Sequence, residues 1–350
     1  MFFASDNGGP AAPEVIAAIT RANEGSAMPY GADPIMDNVR TLVREIFEAP
    51  KAEVYLVATG TAANSLALAS LVQPWQTVYC HRMAHIEEDE CGAPEFFTGG
   101  SKLTLLDGED AKIDPESLEK AIMHTARAGV HNVQKGALSL TTATEAGSVY
   151  TVAEISTLCE IASKNDISCH MDGARFANAL VRLGCTPAEM TWKAGIDVLS
   201  FGGTKNGLLG VEAVILFDPE LAWEFELRRK RGGHLFSKHR FLSAQMEAYL
   251  TNGLWLNLAQ KANRAADRLA EGILKVPGAN LLHPMQANAI FAGWPRKGHI
   301  AAHEAGAKYY HWPFDQPLEG PDDEIISARL VCNWATSDEE IDRFIDLISA

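Results

Sequence analysis

From Val54 to Phe217, short apolar runs alternate with longer stretches of helical periodicity. That alternation dictates a mostly parallel sheet with helices on both faces, an α/β architecture. The expected strands are Val54–Val57, Thr77–Cys80, Lys102–Leu106, Ala137–Thr142, Ile167–Met171, Val198–Phe201 and Glu212–Phe217. Helical patterns fall between them: one follows Thr61, one starts at Asp114-Pro115, one runs from Val152 to Asn165 with Thr151 as its cap, and one covers Pro187–Ala194. Two of the strands end in charge. Ile167–Met171 runs into Asp172, in Ser168-Cys-His-Met-Asp-Gly-Ala-Arg175, and the run Ile196–Phe201 leads through Gly-Gly-Thr204 to Lys205. A lysine among glycines is ordinarily a solvated turn residue. Two charged strand ends point instead to a site at the carboxyl edge of the sheet.

A third stretch belongs with them. The first strand meets Thr59-Gly60-Thr61, and a strong helix former follows. Gly60 permits a tight turn, and the free N–H groups and positive end of the helix make a seat for a phosphate. The pattern is neither a P-loop nor G-x-G-x-x-G. His85, just after the strand Thr77–Cys80, has the chemistry to stack on a flat ring or to act as a base. Glu87-Glu-Asp-Glu90 reads as a solvated helix face rather than a metal site, because no second ligand cluster accompanies it. No metal is expected. A lysine that forms an imine, an aspartate that keeps a pyridine nitrogen protonated and a phosphate seat together describe pyridoxal 5'-phosphate chemistry.

The chain has 350 residues, 47% of them hydrophobic, enough for two domains. The expected division is a large domain, residues 1–236, and a smaller α+β domain, residues 237–350. The second contains a long helical pattern from Phe241 to Ile273 broken near Asn252-Gly253, strands at Ala287–Phe291 and Ile326–Asn333, and a last helix at Asp338–Ile348. Ahead of the first strand, helices are expected from Pro13 to about Asn23 and from Asn38 to Glu48. With 30 basic and 45 acidic residues the net charge is −15, and nucleic acid is not an expected partner. The basic knot at Arg228–Arg231, Lys238 and Arg240 reads equally as a seat for a single anionic ligand or as an ordinary solvated helix end. Six cysteines form no C-x-x-C pair, no run reaches transmembrane length, and the first residues lack the features of a signal peptide. The expectation is a soluble cytoplasmic protein with no membrane partner.

The chain resembles the fold-type I pyridoxal-phosphate enzymes, and within them the low-specificity L-threonine aldolases. The resemblance rests on Ser5-Asp6, Tyr30-Gly-Ala-Asp-Pro34, Thr59-Gly-Thr-Ala-Ala-Asn64, Ala84-His85, His170-Met-Asp-Gly-Ala-Arg175, Thr204-Lys205 and Ala328-Arg-Leu-Val331, in family order over nearly the whole chain. It implies that Lys205 joins the cofactor, Asp172 faces its ring nitrogen, His85 stacks on the ring, and Gly60, Thr61 and Thr204 hold it, with Lys238 as a further phosphate contact. Ser5, Arg175 and Arg329 are implied to bind the substrate carboxylate, which a guanidinium fork matches with two parallel hydrogen bonds. Tyr30 is implied to line the pocket, its own or a neighbouring subunit's. The implied reaction is retro-aldol cleavage of L-threonine, L-allo-threonine and related β-hydroxy-α-amino acids to glycine and an aldehyde, by a homotetramer built as a dimer of dimers. His85, or a water it holds, is the candidate base. The alternative is another fold-type I enzyme, an aminotransferase or β-eliminating lyase acting on a small amino acid. Two departures stand out: Thr141-Thr-Ala-Thr-Glu145 has no histidine where many family members carry one, and Ala32 stands where an acidic residue is common.

Overall fold

In the computed structural model, which describes residues 1–125 and 127–349, seven strands make one sheet. They are β1 (Glu53–Val57), β2 (Gln76–His81), β3 (Lys102–Leu106), β4 (Gln134–Thr141), β5 (Ser168–Gly173), β6 (Val198–Phe201) and β7 (Glu212–Leu216). Their spatial order is β1-β7-β6-β5-β4-β2-β3. All run parallel except β7, which is antiparallel to both of its neighbours. Central strands covered on both faces have no polar face, so they read as unbroken apolar runs. Every residue of β6 and β7 is buried, including Glu212.

The helix Gly60–Leu71 is buried from Ala62 through Ser70, on all sides rather than along one stripe. Its alanines let it lie close to the sheet, and Thr59 caps it by accepting from the Ala62 N–H at 3.1 Å. The second helix begins at Pro34, four residues earlier than expected, because Asp33 caps it through the Met36 N–H. The expected helix Pro187–Ala194 is a short helix, Pro187–Met190, and a 3-10 turn, Trp192–Ala194.

A smaller antiparallel sheet has the order β10-β11-β9-β8. Its strands are β8 (Asn280–Leu281), β9 (Ala289–Pro295), β10 (Tyr310–His311) and β11 (Ile325–Val331). The long helical pattern before it is broken as expected: Arg240–Leu250, a 3-10 turn with Asn252 at φ 53° and Gly253 at φ 68°, then Leu254–Ile273. The helix Arg240–Leu250 packs into the core of the larger sheet through Leu242, Met246 and Tyr249. The helix Leu254–Ile273 spans both cores, with Trp255 and Leu258 in the first and Leu269 and Ile273 in the second.

The first residues of the chain join the last. The Phe3 N–H donates to the Lys308 carbonyl at 2.7 Å, and the Val331 N–H donates to the Phe3 carbonyl at 2.8 Å. The Phe3 ring is fully buried against Phe344. Among the described residues, no helix is long and apolar enough to cross a membrane.

Candidate active site

The carboxyl ends of the parallel strands converge on a cavity of about 270 Å³. β5 delivers Asp172, which pairs in register with Thr141 of β4 and Ser200 of β6. β6 delivers the loop Gly202-Gly203-Thr204-Lys205. That loop passes so close to its neighbours that side chains are excluded: a Cβ on Gly202 would overlap the Ala174 carbonyl, and one on Gly203 would come 2.7 Å from the Val211 carbonyl. Of the residues singled out in the sequence, Gly60, Thr61, His85, Asp172, Arg175, Thr204 and Lys205 all line this cavity.

A hydrogen-bonded chain runs behind it. Asn64 Nδ2 donates to Asp172 Oδ2 at 2.9 Å and to Glu90 Oε1 at 2.8 Å. The Ala174 N–H donates to Asp172 Oδ1 at 3.0 Å. His85 Nδ1 lies 2.9 Å from Glu90 Oε1. The bond to Glu90 raises the imidazole pKa above the usual histidine value, against the opposing effect of burial, and Asp172 and Glu145 add to the rise. This corrects the reading of Glu87–Glu90 as a solvated face. Glu87, Glu88 and Asp89 are exposed, but Glu90 is buried and belongs to the site. Within β5, two residues before Asp172, His170 is held between Ser139 Oγ (3.0 Å) and Ser200 Oγ (2.9 Å), and burial pushes its pKa down to about 4.

The two arginines expected to take a carboxylate are not equivalent. Arg175 donates from Nε and Nη2 to Asp6 at 2.7 and 3.0 Å, so one edge of its fork is already occupied. Asp6 is buried and also accepts from Asn288 Nδ2 at 3.0 Å. Burial opposes its charge, but Arg175 and Lys205 outweigh it and hold the carboxyl below its usual pKa. Among the described residues, Arg329 donates only from Nη2, to the Ala4 carbonyl at 3.3 Å, and its buried Nε has no partner. Tyr310 and Trp312 flank its guanidinium, 5.4 and 5.9 Å from their ring centroids. Burial and the neighbouring Arg175 lower its pKa.

Ser5 caps the turn Asp6–Gly8 by accepting from the Asn7 N–H, and Asn7 rather than Ser5 lines the cavity. Tyr30 and Lys238 are exposed, and neither lines the cavity of its own chain. They lie side by side, since the Tyr30 N–H donates to the Ser237 carbonyl at 3.2 Å. Lys230 Nζ stands 5.1 Å from the Tyr30 ring centroid. Among the described residues, no group of three or more His, Cys, Asp or Glu side chains could hold a metal ion.

Comparison with known proteins gives the family. The family model for beta-eliminating lyases matches residues 3–293. A low specificity L-threonine aldolase of Pseudomonas aeruginosa is 42% identical over 339 residues, which cover 97% of this chain and 94% of the relative. The chain belongs to the low-specificity L-threonine aldolase family. Among solved structures, a Leishmania major threonine aldolase superposes with a TM-score of 0.90 at 26% identity, covering 99% of this chain and 98% of that one. A serine palmitoyltransferase from S. paucimobilis, solved with bound PLP-myriocin aldimine, shares the fold: TM-score 0.70 at 16% identity, covering 100% of this chain and 86% of that one. In this member of the aldolase family, Asn64, Glu90, Glu145 and Glu212 line the cavity without having been assigned a role from the sequence. Of the four, only Asn64 fell inside a motif that carried the resemblance; the carboxylates had no local signal.

Proposed function

We propose that this protein cleaves β-hydroxy-α-amino acids, L-threonine and L-allo-threonine among them, to glycine and an aldehyde, with pyridoxal 5'-phosphate as its cofactor. One observation carries the reading: Lys205, Asp172 and the helix start at Gly60–Thr61 meet in one cavity.

The donor set suits that cofactor. Thr59 caps Ala62, which leaves the N–H groups of Gly60 and Thr61 for an anion. A Cβ on Gly60 would meet nothing within 4 Å, so the backbone is open on that side. Buried Asn64 Oδ1 and Glu90 Oε2 have no partner among the described residues, and such atoms call for a donor from a bound molecule or water. Bound there, pyridoxal phosphate supplies an electron sink for the pair released as the Cα–Cβ bond breaks.

The side chains divide the remaining work. Lys205 would hold the cofactor covalently, and Gly60, Thr61 and Thr204 would hold its phosphate. Asp172, with both oxygens fixed by Asn64 and Ala174, would keep the ring nitrogen protonated. Arg329, with Arg175 and Ser5, would bind the substrate carboxylate, and Arg329 brings the unengaged Nε. His85, proposed to stack on the ring, would also take the β-hydroxyl proton. Glu90 behind it stabilises the imidazolium that forms, and a base with a pKa raised toward the working pH is the more effective one.

Tyr30 and Lys238 are proposed to serve the cavity of a partner subunit in a homo-oligomer, a dimer of dimers. Their exposure beside Met28 and Phe236, which are 64% and 41% exposed, supports this, because exposed apolar side chains gathered near a basic patch favour an interface. A cytoplasmic location fits the six cysteines, none of which is paired.

The test is a visible spectrum of the purified protein with and without glycine, followed by aldehyde assay on L-threonine, L-allo-threonine and phenylserine. Glycine and aldehyde are the expected products. A keto acid or ammonia in their place would move the protein to the aminotransferases or the β-eliminating lyases.

A further inference from the structure

Glu212 opens β7 and is 7% exposed. In the sheet it pairs with Val57, two residues before Thr59, while the next residue, Ala213, pairs with Phe201, four residues before Lys205. The carboxylate therefore stands between the helix start at Gly60–Thr61 and the lysine loop, and it lines the same cavity as both. Its Oε2 accepts from the Gly203 N–H at 2.6 Å, so it also ties down the base of the loop that carries Lys205. Among the described residues it makes no ion pair.

The groups around it are few. Lys205 faces it from the loop, and Tyr249 faces it from the helix Arg240–Leu250. β1 and the start of the next helix bring Val57, Ala58 and Thr59, none of which titrates. Tyr249 donates to the Gly202 carbonyl at 3.1 Å, and burial raises its pKa far above the usual tyrosine value, so it stays neutral. Burial pushes the Glu212 carboxyl up to about 7, against the hydrogen bonds of Thr204 and Gly203 and the charge of Lys205.

We propose that Glu212 is a proton-accepting positioning residue that takes up a proton when a dianionic ligand enters the seat at Gly60–Thr61, and so couples anion binding to pH. Two negative groups in one buried cavity disfavour each other, and protonating one of them relieves the repulsion. The proton comes from solvent. The neutral acid still accepts from the Gly203 N–H and gains an O–H to offer the anion. Below neutrality the free site already holds the proton. Above neutrality it must be drawn from water, so anion affinity falls as pH rises, approaching about tenfold per pH unit. The proposal rests on the phosphate seat of the preceding reading but not on the aldol chemistry.

Sulfate is the probe, because it remains a dianion from about pH 6 to about pH 8.5 and brings no titration of its own. Its affinity for the full chain stripped of cofactor is read from the thermal stabilisation it gives. The wild-type affinity is expected to fall across that range. Glu212→Gln keeps the loop's hydrogen-bond acceptor, and its affinity is expected to stay flat near the wild-type low-pH value. His85 also faces the cavity and loses charge as pH rises, so a slope that survives in Glu212→Gln belongs to His85 and overturns the proposal. A flat wild-type profile overturns it too. Absence of sulfate binding at every pH removes the seat itself, and the proposal with it. Should the variant fail to fold, calorimetry of His85→Gln, which removes the rival group, in two buffers of different ionisation enthalpy counts the remaining protons directly. About half a proton per sulfate near neutrality is expected, and none would refute the coupling.

Discussion

His85 Nδ1 and Glu90 Oε1 lie 2.9 Å apart, and the Glu90 side chain is fully buried. The two are only five residues apart in the chain, yet Glu90 reaches the cavity alone out of its acidic block. A carboxylate with no water around it stabilises the cation it touches far more than a solvated one would. The arrangement fixes the ring and marks Nε2 as the nitrogen free to exchange a proton.

The first prediction follows from that pair. With a raised pKa, His85 as a base is protonated and idle at low pH, so kcat/KM climbs as pH rises through that value. Glu90→Gln removes the stabilising charge and lowers the pKa. The acid limb of the pH–rate profile should move to lower pH, while the plateau falls by about 10²-fold or less because the base is weaker. An unmoved limb would mean that His85 is not the titrating base.

Lys205→Ala should abolish turnover and the absorbance of the covalently held cofactor, while the fold, read by circular dichroism, is retained. Among the described residues, Lys205 makes no hydrogen bond that holds the loop; Gly203, Thr204 and Glu212 do that work.

Asp172→Asn should leave the cofactor bound and reduce kcat by at least about 10²-fold, the loss typical of an electrostatic contact made to a reacting centre. The carbonyl of the new side chain still accepts from Asn64 or Ala174, so the packing survives. A near-normal kcat would end the pairing of this carboxylate with a ring nitrogen.

Arg175 and Arg329 should separate kinetically. Arg329→Lys loses directional donors toward a substrate carboxylate, and a charge-assisted contact is worth about 1.5–3 kcal/mol, so kcat/KM should fall about 10–100-fold with little loss of stability. Arg175→Lys should cost stability as well, because it weakens a buried pair.

Asp6→Asn tests that pair. Breaking a buried ion pair by removing one partner costs about 3–5 kcal/mol, measurable by urea unfolding. The folded-state pKa of Asp6 is depressed, so its contribution is present above the unfolded carboxyl pKa and is lost as pH falls through the folded value. The wild type should therefore lose more stability on acidification than the variant.

Much of this site could be read from the chain because its central groups sit at strand ends. Asp172 and Lys205 each terminate an apolar run, and Gly60 and Thr61 sit where a strand becomes a helix; those are local signals. Glu90 and Glu212 have none. Their importance comes from burial and from partners that only the fold supplies. The antiparallel direction of β7, which brings Glu212 to the carboxyl edge from its own amino end, leaves no mark on the periodicity. The helix Phe176–Leu183 was also missed, because it follows Asp172 and Arg175 without a side-chain cap to announce it. Tyr30 and Lys238 were legible as residues of a type that binds, but their exposure removes them from the cavity of the same chain.

The strap formed by Phe3 between Lys308 and Val331 has a consequence for biosynthesis. Asp6 and Ala4 are positioned by segments translated much later than they are, yet they contact Arg175 and Arg329. A ribosome-bound nascent chain that has exposed the whole parallel sheet would still lack its amino-terminal wall. Cofactor capture would then wait until the segments carrying Lys308 and Val331 have emerged and paired with Phe3.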